Sequence, residues 1–129
     1  MTIRNAQINV LTQDVGRLVE FYQRLGFRES FRLDSSGPPR HVEMTLNQFT
    51  IGISTVTAAI EDHGIRPNLG GRPVVIVLWT DDTDGDYARL VAGGAASLHA
   101  PRDFRADLRT AWVADPDGNP VNLVQRRRT

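Results

Sequence analysis

The chain contains no cysteine, which excludes disulfides, thiolate metal sites and cysteine nucleophiles together. It also lacks net charge. Fifteen basic and fifteen acidic residues cancel, so no global field draws the protein to nucleic acid or to an anionic membrane. The one charge run, Arg126-Arg127-Arg128, lies at the C-terminus and reads as a solvated tail. Nowhere is there an apolar run of the ~20 residues that a membrane span requires, and Met1 to Val10 lack the apolar core of a signal peptide. With the missing cysteines, these absences predict a cytoplasmic protein with no membrane or nucleic-acid partner. A Gly-rich phosphate loop is missing too: Gly70-Gly71 reads as linker and Gly93-Gly94 as a helix stop.

What remains is ordinary globular material. The 129 residues are 40% hydrophobic and 23% charged, enough for a single domain over 1–129 with one core and no covalent staples. Ala6 to Leu11 alternates as a strand. Thr12 or Asp14 can then cap a helix whose stripe is Val15, Leu18, Tyr22 and Leu25, and Gly26 ends it. Three strands are expected next: Phe27 to Leu33, Arg40 to Leu46 and Phe49 to Thr55. A Ser35-to-Pro39 loop separates the first two, and an Asn47-Gln48 turn the last two. Thr57 to His63 reads as a short helix, and Ile65 to Arg72 as a linker. Strand Pro73 to Trp79, a helix capped by Asp82 or Thr83, and strands Ala95 to Ala100, Thr110 to Ala114 and Pro120 to Gln125 complete the chain, with Asp115-Pro-Asp-Gly-Asn119 as a turn.

The second half repeats the first. A shift of 68 residues places Ile8 on Ile76, Val10 on Leu78, Thr12 on Thr80, Asp14 on Asp82, Tyr22 on Leu90 and Gly26 on Gly94. A shift of 70 places Ile51 on Val121 and Ile53 on Leu123. Strand, cap, helix stop and closing strand recur in order, so the fold class predicted is α+β with a βαβββ unit used twice. Module one covers 1–57, a linker 58–72, and module two 73–126.

Strand parity separates two faces. Ile8, Val10, Val42, Met44, Leu46, Ile51, Ile53, Ile76, Leu78, Val121 and Leu123 form the face for the helices. The other face holds Gln7, Asn9, His41, Glu43, Thr50, Gly52, Ser54 and Asn122, with Val75, Val77, Trp79 and Val124. Gly52, isolated in a good strand, signals close approach of something to the backbone.

Asp14-Val-Gly-Arg-Leu-Val-Glu-Phe-Tyr-Gln-Arg-Leu-Gly-Phe27 resembles the first helix of the glyoxalase/bleomycin-resistance/dioxygenase (vicinal-oxygen-chelate) superfamily. Ala114-Asp-Pro-Asp-Gly-Asn-Pro-Val-Asn-Leu-Val124 resembles its closing turn and strand. The resemblance implies a cupped mixed sheet that holds a small ligand. Metal-dependent members carry His, Gln or Glu at four positions on the cupped face, in the first and fourth strands of each module. Those positions are here Gln7, Gly52, Val75 and Asn122. Glycine and valine have no ligating atom and Asn122 is a weak neutral ligand, so no metal or other cofactor is expected. His63 and His99 lie elsewhere, whereas His41 and Glu43 share the cupped face.

The resemblance then favours the metal-free members that sequester drugs as homodimers. The expected function is binding of an aromatic natural product of bleomycin, mitomycin or enediyne type, without catalytic residues. The expected binding residues are Gln7, Asn9, Phe31, His41, Glu43, Thr50, Gly52, Ser54, Val77, Trp79, Phe104, Trp112 and Asn122. The alternative is a family enzyme (a lyase, isomerase or dioxygenase) with Glu43 as a base whose pKa burial raises; against it, no nucleophile–base–orienter set is visible. In a blander reading Glu43 hydrogen-bonds only a neighbour or Arg109. Arg102, Arg105 and Arg109, clustered with Asp103 and Asp107, read as a solvated loop or a flap over the ligand.

Overall fold

The computed structural model describes residues 6–33, 37–64, 66 and 74–127. Ser35 and Ser36 of the expected loop, most of the Ile65-to-Arg72 linker, Pro73 and Arg128 lie outside these residues. The chain divides into two compact units, Met1–Leu69 and Gly70–Thr129.

Unit one contains β1 (Ile8–Thr12), α1 (Val15–Arg24), β2 (Arg28–Arg32), β3 (His41–Leu46), β4 (Phe49–Thr55) and α2 (Val56–His63). Its sheet has the order β1-β4-β3-β2, with β1 parallel to β4 and the other pairs antiparallel. Asp14 is the N-cap of α1, its carboxylate accepting the Arg17 N–H at 3.1 Å. Thr12 Oγ1 accepts the Asp14 N–H, so both candidate caps act, one on the helix and one on its approach. Gly26 turns the chain out with φ 96°. Leu18 and Tyr22 from α1 are fully buried with Val42, Met44, Ile51 and Ile53 of the sheet. Tyr22 meets Phe27 edge to face, centroids 5.5 Å apart. Of the helix-side parity expected from alternation, Val10, Val42, Met44, Ile51 and Ile53 form the core of this unit, whereas Ile8 is exposed and Leu46 half-buried. α2 is the short helix expected over Thr57 to His63, beginning one residue earlier, with its N-cap Thr55 accepting the Ala58 N–H at 2.9 Å.

Unit two repeats this plan with β5 (Ile76–Trp79), α3 (Thr83–Ala92), β6 (Ala96–Phe104), β7 (Leu108–Ala114) and β8 (Pro120–Arg126). The order β5-β8-β7-β6 is the counterpart of the first sheet, again with the first strand parallel to the last. Asp82 caps α3 through the Gly85 N–H. Ile76, Leu90, Ala111, Val113, Val121 and Leu123 are buried. Asp115 ties the closing turn, its carboxylate accepting from the Asp117 and Asn119 backbone N–H groups and the Asn119 amide. Two βαβββ modules, each a four-stranded mixed sheet, confirm the α+β fold class.

One segment corrects the sequence reading. The span Arg102–Arg109, expected to be a loop or flap, is the end of a hairpin. Arg102↔Thr110, Asp103↔Arg109 and Phe104↔Leu108 are paired, and the chain reverses with Arg105 at φ 57°. β6 therefore runs four residues past the expected Ala100. The proline and charged residues there hid a strand that edge pairing and the Arg109–Asp103 ion pair sustain.

Candidate functional site

In each sheet the face away from the core helices is built of cross-strand rows, because residues paired in register project to one side. In unit one the central row is Asn9, Gly52, Glu43 and Phe31. Beside it stand Leu11, Ser54 and His41 on one side, Thr50 and Thr45 on the other. Pairing thus brings together Gln7, Asn9, Phe31, His41, Glu43, Thr50, Gly52 and Ser54, the eight residues expected there from the first module.

These side chains form a hydrogen-bonded network. Ser54 Oγ lies 2.6 Å from His41 Nδ1, and His41 Nε2 lies 2.9 Å from Glu43 Oε2. The Gln7 amide donates to Glu43 Oε2 at 3.3 Å and to Asn9 Oδ1 at 2.8 Å. Phe31 leans over the imidazole, centroids 6.1 Å apart. Thr45 Oγ1 bridges Ser30 Oγ at 2.8 Å and Thr50 Oγ1 at 3.2 Å. An ionised carboxylate can only accept. His41 Nε2 therefore carries the proton towards Glu43, and in the neutral ring Nδ1 accepts the Ser54 hydroxyl proton.

This arrangement corrects two expectations. The His41 ring holds the Glu43 carboxyl below the ordinary carboxylate value, against the upward push of desolvation, and the Gln7 amide adds to the lowering. Glu43 is a weaker base than expected, because hydrogen bonding to its charged form outweighs its partial burial. The recorded partners of Glu43 are His41 and Gln7, and the Arg109 guanidinium is held by Asp84 and Asp103. Conversely, the sequence shows no nucleophile–base–orienter set, whereas the β3–β4 pairing lines up Ser54, His41 and Glu43 in that order.

The space over Gly52 belongs to the protein itself. A Cβ there would overlap Asn9 Oδ1 and stand 3.0 Å from Gln7 Nε2. The close approach that the isolated glycine signalled is that of the Asn9 and Gln7 amides.

In unit two the corresponding rows are Val77, Asn122, Trp112 and His99, then Trp79, Val124, Thr110 and Arg102. All five residues expected from this module, Val77, Trp79, Phe104, Trp112 and Asn122, lie in strands on this face. Its character is different: Val124 and Thr110 in the middle of the rows are buried, and large apolar side chains around them are uncovered. Trp79 is 59% exposed, Val77 48% and Phe104 44%. Trp112 is half-buried. The Asn122 Oδ1 accepts the Thr110 hydroxyl at 2.7 Å. The Arg126 guanidinium lies 4.8 Å from the Trp79 ring centroid, and Arg105 lies 5.4 Å from that of Phe104. Sequence reasoning missed Ser30, Thr45 and Arg126. Arg126 was hidden by its place in a terminal charge run, although its parity with Asn122 and Val124 marks its face.

The donor set does not fit a divalent metal. Gly52 and Val75 offer no ligand atom, Gln7 offers one neutral amide oxygen while its nitrogen donates to Asn9 and Glu43, and the Asn122 oxygen is engaged by Thr110. No group of three His, Cys, Asp or Glu side chains converges among the described residues. No helix among those residues is long and apolar enough to cross a membrane.

The family model described as Glyoxalase/Bleomycin resistance protein/Dioxygenase superfamily matches residues 4–123. No curated protein matches the chain. Among solved structures, a hypothetical protein from S. aureus is 20% identical with a TM-score of 0.81, covering 97% of this chain and 95% of its own. TioX from Micromonospora sp. ML1 is 22% identical with a TM-score of 0.73, covering 94% and 98%. A glyoxalase-related enzyme from Fulvimarina pelagi is 21% identical with a TM-score of 0.79, covering 95% and 87%. At these identities the likeness is one of fold.

Proposed function

From the chain's membership of the glyoxalase/bleomycin resistance protein/dioxygenase superfamily, we propose that it is a metal-free, cytoplasmic, homodimeric binding protein that sequesters an aromatic natural product. The single observation that carries this reading is the uncovered Trp79, standing with Val77 and Phe104 on the open face of the second sheet. Large apolar side chains left uncovered together on one face mark a binding surface. Aromatic planes bind flat ligands with little loss of side-chain freedom, each pair adding ~0.5–1.5 kcal/mol beyond area burial. The loss of metal-ligating side chains at Gly52 and Val75 supports binding over metal chemistry.

The test is quenching of tryptophan fluorescence by bleomycins, mitomycins and enediyne-type anthraquinones on metal-free protein. Saturable quenching at micromolar or tighter affinity, with the ligand recovered unchanged and the signal lost in Trp79→Ala, is the expected result. Absence of binding across the panel removes the reading.

A second reading is favoured by the Ser54–His41–Glu43 chain. In a metal-free enzyme on this face His41, oriented by Glu43, would take the proton, and Glu43 would not itself be the base. Chemical conversion of a panel member that is lost in His41→Gln would establish it.

A further inference from the structure

The charge on the open face of the second sheet narrows the ligand. By strand register this face carries Trp79 from β5, Arg126 from β8, and Arg102 and Phe104 from β6, around the buried Val124 and Thr110. Among the described residues, the strand positions on this face hold two arginines and no carboxylate, and Asp81, two residues after Trp79, lies at its margin. The acidic side chain of β6, Asp103, pairs with Arg109 and Arg127 on the opposite parity. Arg126 has no ion pair among the described residues. Its recorded partner is the Trp79 ring, 4.8 Å away, and it lines an open recess of about 390 Å³ with Asp81, Gln125 and Arg127. A guanidinium resting on an indole keeps its in-plane N–H donors free, and that fork matches a carboxylate. Trp79 remains 59% exposed, so indole surface is left for a second aromatic plane.

We propose that this face binds a planar aromatic carboxylate, its ring against Trp79 and its anionic group on the Arg126 guanidinium. The inference rests on the aromatic-sequestration reading and deepens it. It selects anionic aromatics over cationic ones, because the two arginines, Arg126 and Arg102, outnumber the single carboxylate, Asp81, that lines the recess with Arg126.

The test compares three probes of matched shape, 2-naphthoate, neutral 2-naphthamide and cationic 2-naphthylmethylamine, by tryptophan quenching and calorimetry. Naphthoate should bind about tenfold tighter than the amide, and this advantage should shrink as salt is raised. Arg126→Gln should abolish the advantage while leaving amide affinity in place, and Arg17→Gln on the exposed side of α1 should change neither. Binding of the amine as tight as that of naphthoate, or an advantage that survives Arg126→Gln, overturns the anion assignment while leaving aromatic sequestration standing. Failure of all three probes to bind overturns both. Self-association in sedimentation that shields Trp79 from quenching and is abolished by Trp79→Glu also overturns the proposal, because a second copy of the chain then covers the face.

Discussion

Asn9 and Gly52 face each other across the parallel β1–β4 pair, and the Asn9 amide fills the volume that a side chain at residue 52 would occupy. The overlapping atom is the far end of an exposed side chain, so it can swing away. Gly52→Ala should therefore cost little. It loses the Gln7–Asn9 hydrogen bond, about 0.5–1.5 kcal/mol, and recovers roughly 0.5–1 kcal/mol from replacing glycine within a strand. Urea unfolding should place the variant within about 1 kcal/mol of wild type. In an Asn9→Ala background the same substitution should become stabilising, and the double-mutant cycle should show the coupling. A loss above about 2 kcal/mol in both backgrounds would mean that the backbone, not Asn9, sets the limit.

Much of this face is legible once the Asn47-Gln48 turn is placed. A two-residue turn pairs Leu46 with Phe49, and so sets Glu43 opposite Gly52 and His41 opposite Ser54. The internal repeat transfers that frame to Trp112 and Asn122 in the second module. Hydrogen-bond partners are not legible in the same way. Glu43 sits near both Gln7 and His41, and only their distances decide that its charged form is favoured. Arg126 and the Arg102–Arg109 hairpin were obscured for another reason. Runs of arginine and aspartate look solvated in one dimension, and strand pairing gave them faces that composition cannot show.

The lowered Glu43 value makes a pH prediction. A carboxyl whose folded pKa lies below its unfolded value adds stability above the ordinary value of 4.5, and loses it as pH falls through the lower folded value. Glu43→Gln should therefore be less stable than wild type at pH 7, by about 1 kcal/mol for the lost charge-assisted bond. The gap should close as the pH is taken below 4.5, when the wild-type carboxyl is protonated too. Asp84 and Asp103, also lowered by Arg109, should continue to lose stability towards lower pH in both proteins. Urea unfolding between neutral and acidic pH reads the difference directly; a gap that stays constant into acid would show that the carboxylate charge is not the source.

Arg109 ties α3 to the β6–β7 hairpin. It makes two bonds to Asp84, at 2.7 and 3.0 Å, and one to Asp103, at 3.0 Å, and all three side chains keep contact with solvent. Arg109→Met should cost about 0.5–1 kcal/mol, as for an exposed pair of good geometry. Arg109→Lys should recover only part of this, because an ammonium cannot reproduce the paired bonds to Asp84. Asp103 retains Arg127 as a partner, so double-mutant cycles should give Asp84 the larger coupling with Arg109. Equal coupling for both aspartates would remove the geometric argument.

The two modules supply an internal control for helix capping. Asp14 caps α1 by accepting the N–H of Arg17 at 3.1 Å; Asp82 caps α3 by accepting that of Gly85 at 3.0 Å. A Cβ on Gly85 would overlap Asp82 Oδ2, which taken alone argues against alanine there. Arg17, 68 residues earlier at the matching position, carries a Cβ and is still capped, so an aspartate can accept this N–H with its second oxygen turned aside. Gly85 also lacks positive φ among the glycines that have it. Gly85→Ala should therefore gain from helix propensity, about 0.5–1 kcal/mol, with the cap retained and the melting temperature raised. Asp82→Ala should lose about 1 kcal/mol in the wild-type background and a similar amount in Gly85→Ala. If Asp82→Ala costs nothing once alanine is at 85, the new methyl group has displaced the cap, and the equivalence of the two helix starts does not extend to their side chains.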